Sequence, residues 1–420
     1  MAESRAVDMK DILSYYKAVE FFHNIRGEQT LALPDGETQL TFRSFTSQGR
    51  SLLPDGSRGT VLEKISAGFD AVKERLFYKE IDRILHMDDS KVKENTTFRY
   101  PLFLPLKAEA PGVILLLHGL NEKRWDKYLP WAYTLCRQTG YAVLLFPIAF
   151  HMNRSPGEWS DPRLMNRVSK DRQKLFPNVV DSSLANAAIS TRLHQLPQRF
   201  FWSGLATFYD ITRLISSLRK GEVTGINPDA PVHFFAYSVG AYLAQVLFLT
   251  EEPRLEERSR LFIFCGGAAF NRMNPVSREI VDSEANIAVY SFFIEHLEKE
   301  LKNDPQLSRY FNDPRSPGHA FRMMLHQNKM SDIRESKLRD LSGRIRALVL
   351  KQDTVVPPYE TVNLLRGNDR EIPLPVDIED PPYPYSHIKP FSEGITKKDP
   401  AVESFFSEVF ETASLFFTTL

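Results

Sequence analysis

Four short segments of the chain are apolar at nearly every position: GVILLLHG (residues 112–119), YAVLLFPI (141–148), PVHFFAYS (231–238) and RLFIFCGGA (260–268). A strand with one wet face alternates apolar and polar residues. A run that is apolar throughout therefore belongs to a strand covered on both faces, the situation of a parallel sheet between layers of helices. Stretches of helical texture separate the runs: WDKYLPWAYTLCRQTG (125–140), FFWSGLATFYDITRLISSLRK (200–220) and VGAYLAQVLFLT (239–250). RIRALVLKQD (344–353) and EIPLPVDIED (371–380) add two expected strands, and a helix from about Ala401 closes the chain. The alternation predicts an α/β fold with a doubly wound, mostly parallel central sheet.

Residues 1–95 read as a mostly helical N-terminal extension, except for the turn-rich patch LPDGETQLTFRSFTS (33–47), where Asp35-Gly36 is hairpin turn chemistry. TTFRYPLFLPLK (96–107) reads as an early or edge strand. The α/β domain is expected over 96–420, with insertions at about 151–198 and 271–343. The second contains SEANIAVYSFFIEHLEKELKND, which reads as helical. Insertions of this size at a sheet edge serve either as a cap over a site or as extra scaffold.

At 420 residues, with 42% hydrophobic and 25% charged residues, the chain has room for a large core and the composition of a globular protein. Its 53 basic and 53 acidic residues cancel, which removes the electrostatic case for a dedicated nucleic-acid binder. The N-terminus lacks the apolar core of a secretory signal and no run is long enough to span a membrane, so a cytoplasmic location is expected. The terminal AVESFFSEVFETASLFFTTL is interrupted by Glu403, Glu408 and Glu411 at helical spacing, and reads as an amphipathic docking helix. Cys136 and Cys265 read as buried, reduced thiols; no His or Cys spacing suggests a metal, and no cofactor is implied.

Ser238 falls where a buried strand meets a buried helix, at the carboxyl end of the sheet, where open α/β sheets bind ligands. It sits in Ala236-Tyr237-Ser238-Val239-Gly240, a small-x-Ser-x-Gly pattern whose small residues let the strand and helix backbones approach. A helix N-cap is the other reading of such a serine. His118-Gly119 follows the earliest strong apolar run.

In these two features the sequence resembles the α/β-hydrolase superfamily, whose members carry a His-Gly turn after the third strand and a nucleophile elbow after the fifth. The first slot of the elbow holds Ala236 where the pattern has glycine. The resemblance covers about Gly112 to Leu420 without the insertions, and does not reach residues 1 to about 90. It implies that backbone N–H groups of Leu120 and Val239 form an oxyanion hole, with Asn121 as an alternative to Leu120, and that His118 holds the neighbouring loop. It also implies a serine nucleophile followed in the chain by an acid and a histidine. Asp353 ends a late strand before Val356-Pro357; Asp377, Glu379 and Asp380 compete with it. His387, in DPPYPYSHIKPFSEG, is the histidine that follows Asp353.

The expected activity is that of a serine hydrolase. It cleaves a carboxylic ester or related acyl bond of a small molecule through a Ser238 acyl-enzyme, with His387 as base and then acid and Asp353 orienting it. The alternative is a non-catalytic protein of the same fold that binds a ligand or partner in that cleft. Aromatic pairs in RFFWSG, FFIEH and SFFSEVF read as lining for an acyl pocket or as core. Arg154, Arg163 and Arg167 read as anion binders or as a solvated face.

Overall fold

The computed structural model describes residues 30–54, 87–391 and 399–419, together with Glu20 and Leu85. Among the described residues nine strands form one sheet: β1 (Thr30–Ala32), β2 (Thr38–Thr46), β3 (Thr97–Pro105), β4 (Val113–Leu117), β5 (Ala142–Leu145), β6 (Val232–Tyr237), β7 (Leu261–Phe264), β8 (Ile345–Leu350) and β9 (Val376–Glu379). Their spatial order is β1-β2-β3-β5-β4-β6-β7-β8-β9. The strands from β5 to β9 pair in parallel, while β1, β2 and β3 pair antiparallel with one another and β3 runs antiparallel to β5.

The apolar runs are the central strands, and their alternate residues enter two separate cores. Val113, Leu115 and Leu117 of β4 join one hydrophobic cluster, while Ile114 and Leu116 join the other. The same division places Val232, Phe234 and Ala236 of β6 on one face and Phe235 and Tyr237 on the other. No position of these strands meets water, so polar alternation has no use there.

Helices α1 (Leu129–Thr139) and α12 (Pro400–Thr418) cover the second face. Val402, Phe406, Val409, Phe410, Ala413 and Phe417 form the buried stripe of α12 at helical spacing, so the expected docking helix docks on its own sheet. Each phenylalanine buried there contributes about 1.5–3 kcal/mol. Among the described residues no helix is long and apolar enough to cross a membrane.

The other face carries α4 (Arg199–Arg219), α5 (Val239–Leu249) and α11 (Pro358–Leu365), beneath two inserted helical groups. The first group contains α2 (Pro162–Leu175) and α3 (Ala187–Gln195). The second contains α6 (Ser283–Tyr290), α7 (Leu297–Asn303), α8 (Pro305–Asn312), α9 (Pro317–Leu325) and α10 (Ser331–Asp340). They join through a buried bidentate pair, Arg172 Nε and Nη2 to Asp282 at 2.7 and 2.8 Å. Asp282 also caps α6, accepting from the Ala285 N–H at 3.0 Å.

Three expectations need correction. The boundary at residues 95/96 runs through the sheet, because β2 in the N-terminal part pairs with β3 from Thr38↔Pro105 to Thr46↔Thr97. The hairpin at Asp35-Gly36 does form, with Asp35 Oδ1 accepting from the Glu37 and Thr38 N–H groups at 3.0 Å; β1 and β2 thereby extend the sheet. The helical expectation for the rest of residues 1–95 otherwise lies mainly outside the described residues. The SEANIAVYSFFIEHLEKELKND segment is not one helix: it widens into a π-turn at Ser291–Glu295 and breaks at His296, which has φ −116° and ψ 5°. Arg154 is neither a solvated arginine nor an anion binder, since it is fully buried and pairs with Asp210 at 2.8 Å. Arg163 and Arg167 are exposed.

Candidate active site

Ser238 stands between β6 and α5 with φ 56° and ψ −122°, a conformation that L-residues rarely adopt. Strain of this kind costs on the order of 1–3 kcal/mol and persists only where the surroundings impose it. Here the buried strand and the buried helix impose it, and the turn leaves Ser238 half-buried while its neighbours Tyr237 and Gly240 are buried. A Cβ at position 240 would lie 2.7 Å from the Leu117 carbonyl oxygen and 2.8 Å from that of His118, so only glycine fits beneath the turn. Ala236 is fully buried on β6, and its methyl group is tolerated where the pattern has glycine.

Oγ of Ser238 lies 2.7 Å from Nε2 of His387, and Nδ1 of His387 lies 2.7 Å from Oδ2 of Asp353. The carboxylate can only accept, so Nδ1 carries the proton and Nε2 is left to accept from the serine hydroxyl. The other oxygen of Asp353 accepts from the Val355 and Val356 N–H groups, each at 2.9 Å. Asp353 is 3% exposed and His387 4%, so water is kept from the inner part of the chain. The competing acids are engaged elsewhere: Asp377 with Arg346, and Asp380 with Gln352, Tyr385 and Lys351. Glu379 has its carboxyl raised by burial and by nearby Glu408 and Asp377.

Two contacts fix the loop of His387. Tyr237 donates its O–H to the His387 carbonyl and stacks on the imidazole, with centroids 5.5 Å apart at 20°. Burial pushes the Tyr237 phenol well up, so it remains a donor. Lys127 donates to the Ile388 carbonyl at 3.3 Å and pairs with Glu122, which accepts from the Tyr128 O–H at 2.8 Å. Tyr128 in turn accepts from the Gly119 N–H at 3.0 Å. The histidine loop and the His118-Gly119 loop are thus tied through one buried network.

Sequence reasoning missed Glu122, Lys127, Tyr128 and the part played by Tyr237. The first three lie in NEKRWDKY at spacings that match neither helix nor strand periodicity, so only Tyr237, adjacent to Ser238, carried any signal.

His118 donates from Nδ1 to the Gly119 carbonyl at 2.8 Å and accepts at Nε2 from the Ile148 N–H at 2.9 Å, so both ring nitrogens hold loops. Burial, with His151 close by, keeps its imidazolium well below the usual range. Val239 is the first residue of α5, where an N–H has no intrahelical acceptor. Neither the Leu120 nor the Val239 N–H donates to a protein acceptor among the described residues. Asn121, with φ 62°, donates its side-chain amide to the carbonyls of Ala185 and Glu279 in the two insertions, at 2.9 and 2.5 Å.

Leu120, Asn121, Ser238 and His387 line an open cleft of about 300 Å³, bordered by Ala185, Glu279 and Ile280 of the insertions. Leu120 also lines two further cavities of about 60 Å³ each, both partly open. Phe200 and Phe201 of RFFWSG line one of them, whereas Phe293, Phe405 and Phe406 are core. Among the described residues no cluster of three His, Cys, Asp or Glu side chains is placed to hold a metal. Cys136 and Cys265 are free and buried, and burial pushes both thiols up.

Counted from β2, the His-Gly loop follows the third strand, Ser238 follows the fifth, and the second strand runs antiparallel to its neighbours. With the helices on both faces, this arrangement defines an α/β-hydrolase fold. The chain belongs to a family described as of unknown function, DUF6051, whose model matches residues 13–418. No curated protein matches the sequence.

Among solved structures, a bacterial heroin esterase is similar at 11% identity, covering 99% of this chain and 95% of its own, with a TM-score of 0.45. Esterase Est22 gives 12% identity, 92% and 83% coverage and a TM-score of 0.43. Carboxyl esterase 2 of the mycorrhizal fungus Tuber melanosporum gives 11%, 76% and 81%, and 0.43. At these identities the likeness concerns the path of the chain alone.

Proposed function

We propose that the protein is a serine hydrolase that cleaves carboxylic esters or related acyl bonds of small molecules. The observation that carries this reading is the hydrogen-bonded line from Asp353 through His387 to Ser238, set at the end of a buried strand. Oγ of Ser238 attacks the substrate carbonyl carbon while Nε2 of His387 takes the hydroxyl proton. The carbonyl oxygen, now an oxyanion, is met by the N–H groups of Leu120 and Val239; one such donor is worth about 2.7–4 kcal/mol of barrier in enzymes of this kind. The carbon–oxygen bond to the leaving alcohol then breaks, and His387 returns its proton to that oxygen. Water repeats the sequence on the acyl-serine, releasing the acid and restoring Ser238. Asp353 holds the tautomer and stabilises the transient imidazolium.

The two insertions act as a fixed cap over the cleft, tied together by Arg172 and Asp282. A panel of p-nitrophenyl esters of graded chain length tests the activity: turnover is expected from the unaltered chain and not from Ser238→Ala, and equal turnover by both removes the assignment.

A further inference from the structure

The wall shared by the two cavities beside Leu120 includes His151, whose buried Nε2 has no partner among the described residues. His151 lines both cavities, together with Leu120, Phe200 and Ser203. Its Nδ1 stands 2.9 Å from the Ala149 carbonyl. A carbonyl only accepts, so Nδ1 holds the proton and Nε2 presents a lone pair. That Nε2 is buried without a hydrogen-bond partner among the described residues, in a side chain that is 8% exposed as a whole residue.

The neighbouring ring and charged groups have partners of their own. The His118 ring, 5.3 Å away between centroids, has both nitrogens committed to Gly119 and Ile148. Arg154 is committed to Asn95, Pro147 and Asp210, and Lys123 to the carbonyls of Trp159 and Ala185. Burial, helped by the charges of Arg154 and Lys123, pushes the His151 imidazolium down to about 4, so the lone pair stays available at neutral pH. The backbone holds the ring in place from both sides, with Phe150 at φ 64° and Met152 at φ 51°. Two left-handed residues on either side of one side chain are unfavourable, and such strain gathers where a side chain must be aimed.

The cavity walled by Phe201, Phe208, Tyr242 and Phe321 is otherwise mostly apolar, whereas the one walled by Phe150 and Trp159 also holds Glu122, Lys123, Arg192 and Arg199. An apolar pocket with one oriented acceptor selects an apolar group that carries one donor. We propose that the substrate of Ser238 bears a hydroxyl or N–H on its apolar, ring-sized part, and that this donor docks on Nε2 of His151, making His151 a specificity-determining residue. The proposal rests on the hydrolase reading of Ser238. Sites built to bond a hydroxyl discriminate strongly against the analogue that lacks it, because the buried acceptor is then left unpaired.

The test measures binding to the full Ser238→Ala chain by calorimetry, so that no turnover is needed. The probes are ethyl 3-phenylpropanoate, its three ring-hydroxylated isomers and their methyl ethers. At least one hydroxylated isomer is expected to bind about tenfold or more tightly than both the parent ester and its own methyl ether. The ratio is expected to fall close to one in Ser238→Ala/His151→Phe and to recover in part with His151→Gln, which keeps an acceptor. No binding by any probe, equal binding by all, or a preference untouched by His151→Phe overturns the proposal. Should His151→Phe fail to fold, the comparison of hydroxyl with methyl ether on the intact ring decides alone. A hydroxyl preference in binding, with no ester turnover by the unaltered chain, overturns the hydrolase reading and leaves the docking of the donor standing.

Discussion

Nε2 of His387 lies 2.7 Å from Oγ of Ser238 across 149 residues of chain. Both groups stand on connections at the same end of the sheet, Ser238 directly after β6 and His387 after β9. The strained turn lifts the hydroxyl out of the core, and the network of Tyr237 and Lys127 holds the histidine loop over it. The remaining expectations follow from how firmly each part is held.

Asp353 anchors the histidine through Oδ2 while its other oxygen is held by two backbone N–H groups. Asp353→Asn keeps the volume but puts an N–H or a weaker acceptor opposite Nδ1, favouring the wrong tautomer. Ester turnover is expected to fall about 10⁴-fold in kcat with KM little changed, read from steady-state kinetics. A fall below tenfold would mean that Asp353 does not orient the base.

Tyr237→Phe removes the hydrogen bond to the His387 carbonyl and leaves the ring stack. Loss of one buried bond to the loop is expected to lower stability by about 1 kcal/mol. If Tyr237 positions the histidine, kcat falls by about tenfold while KM stays constant; a change in unfolding midpoint alone marks a structural role only.

Gly240→Ala places a methyl group against the carbonyl oxygens of Leu117 and His118. The elbow and the His-Gly loop cannot both keep their positions, so urea unfolding is expected to show a loss of about 1–3 kcal/mol. Turnover should fall as well, because the Leu120 and Val239 amides flank the displaced atoms.

The fold was legible because the residues of β4 and β6 meet a core on each side and so form unbroken apolar runs. The positions of Ser238, Asp353 and His387 were legible for a related reason: each follows a recognisable strand. The part of β1 and β2 was not, because β1 has only three residues and β2, near the sheet edge, mixes buried with exposed positions and lacks the double burial that marks the centre. Arg154 misled because its partner Asp210 lies on α4, beyond any spacing rule. The cluster of Glu122, Lys127 and Tyr128, and the orphaned nitrogen of His151, exist only through tertiary contacts between loops.

Burial holds the imidazolium forms of His118, His151 and His233 below their usual range, that of His233 down to about 3. Between about pH 6.5 and those folded values the unfolded chain binds more protons than the folded one. The stability these neutral rings allow is therefore present above about pH 6.5 and is lost as pH falls. His233 stacks on Tyr141 at 5.6 Å, away from Ser238, so His233→Phe keeps a ring there. From pH 6 to 4 the unfolding free energy of this variant is expected to fall by about 1.4 kcal/mol per pH unit less than that of the unaltered chain. Parallel slopes in urea titrations at each pH would contradict it.

Covalent labelling by a fluorophosphonate, read by mass spectrometry of the digested protein, tests the role of Ser238 most directly. One adduct is expected on the peptide containing Ser238, formed slowly in His387→Ala and absent in Ser238→Ala. Labelling that persists undiminished in Ser238→Ala, or an unaltered chain that takes no label, would contradict the account.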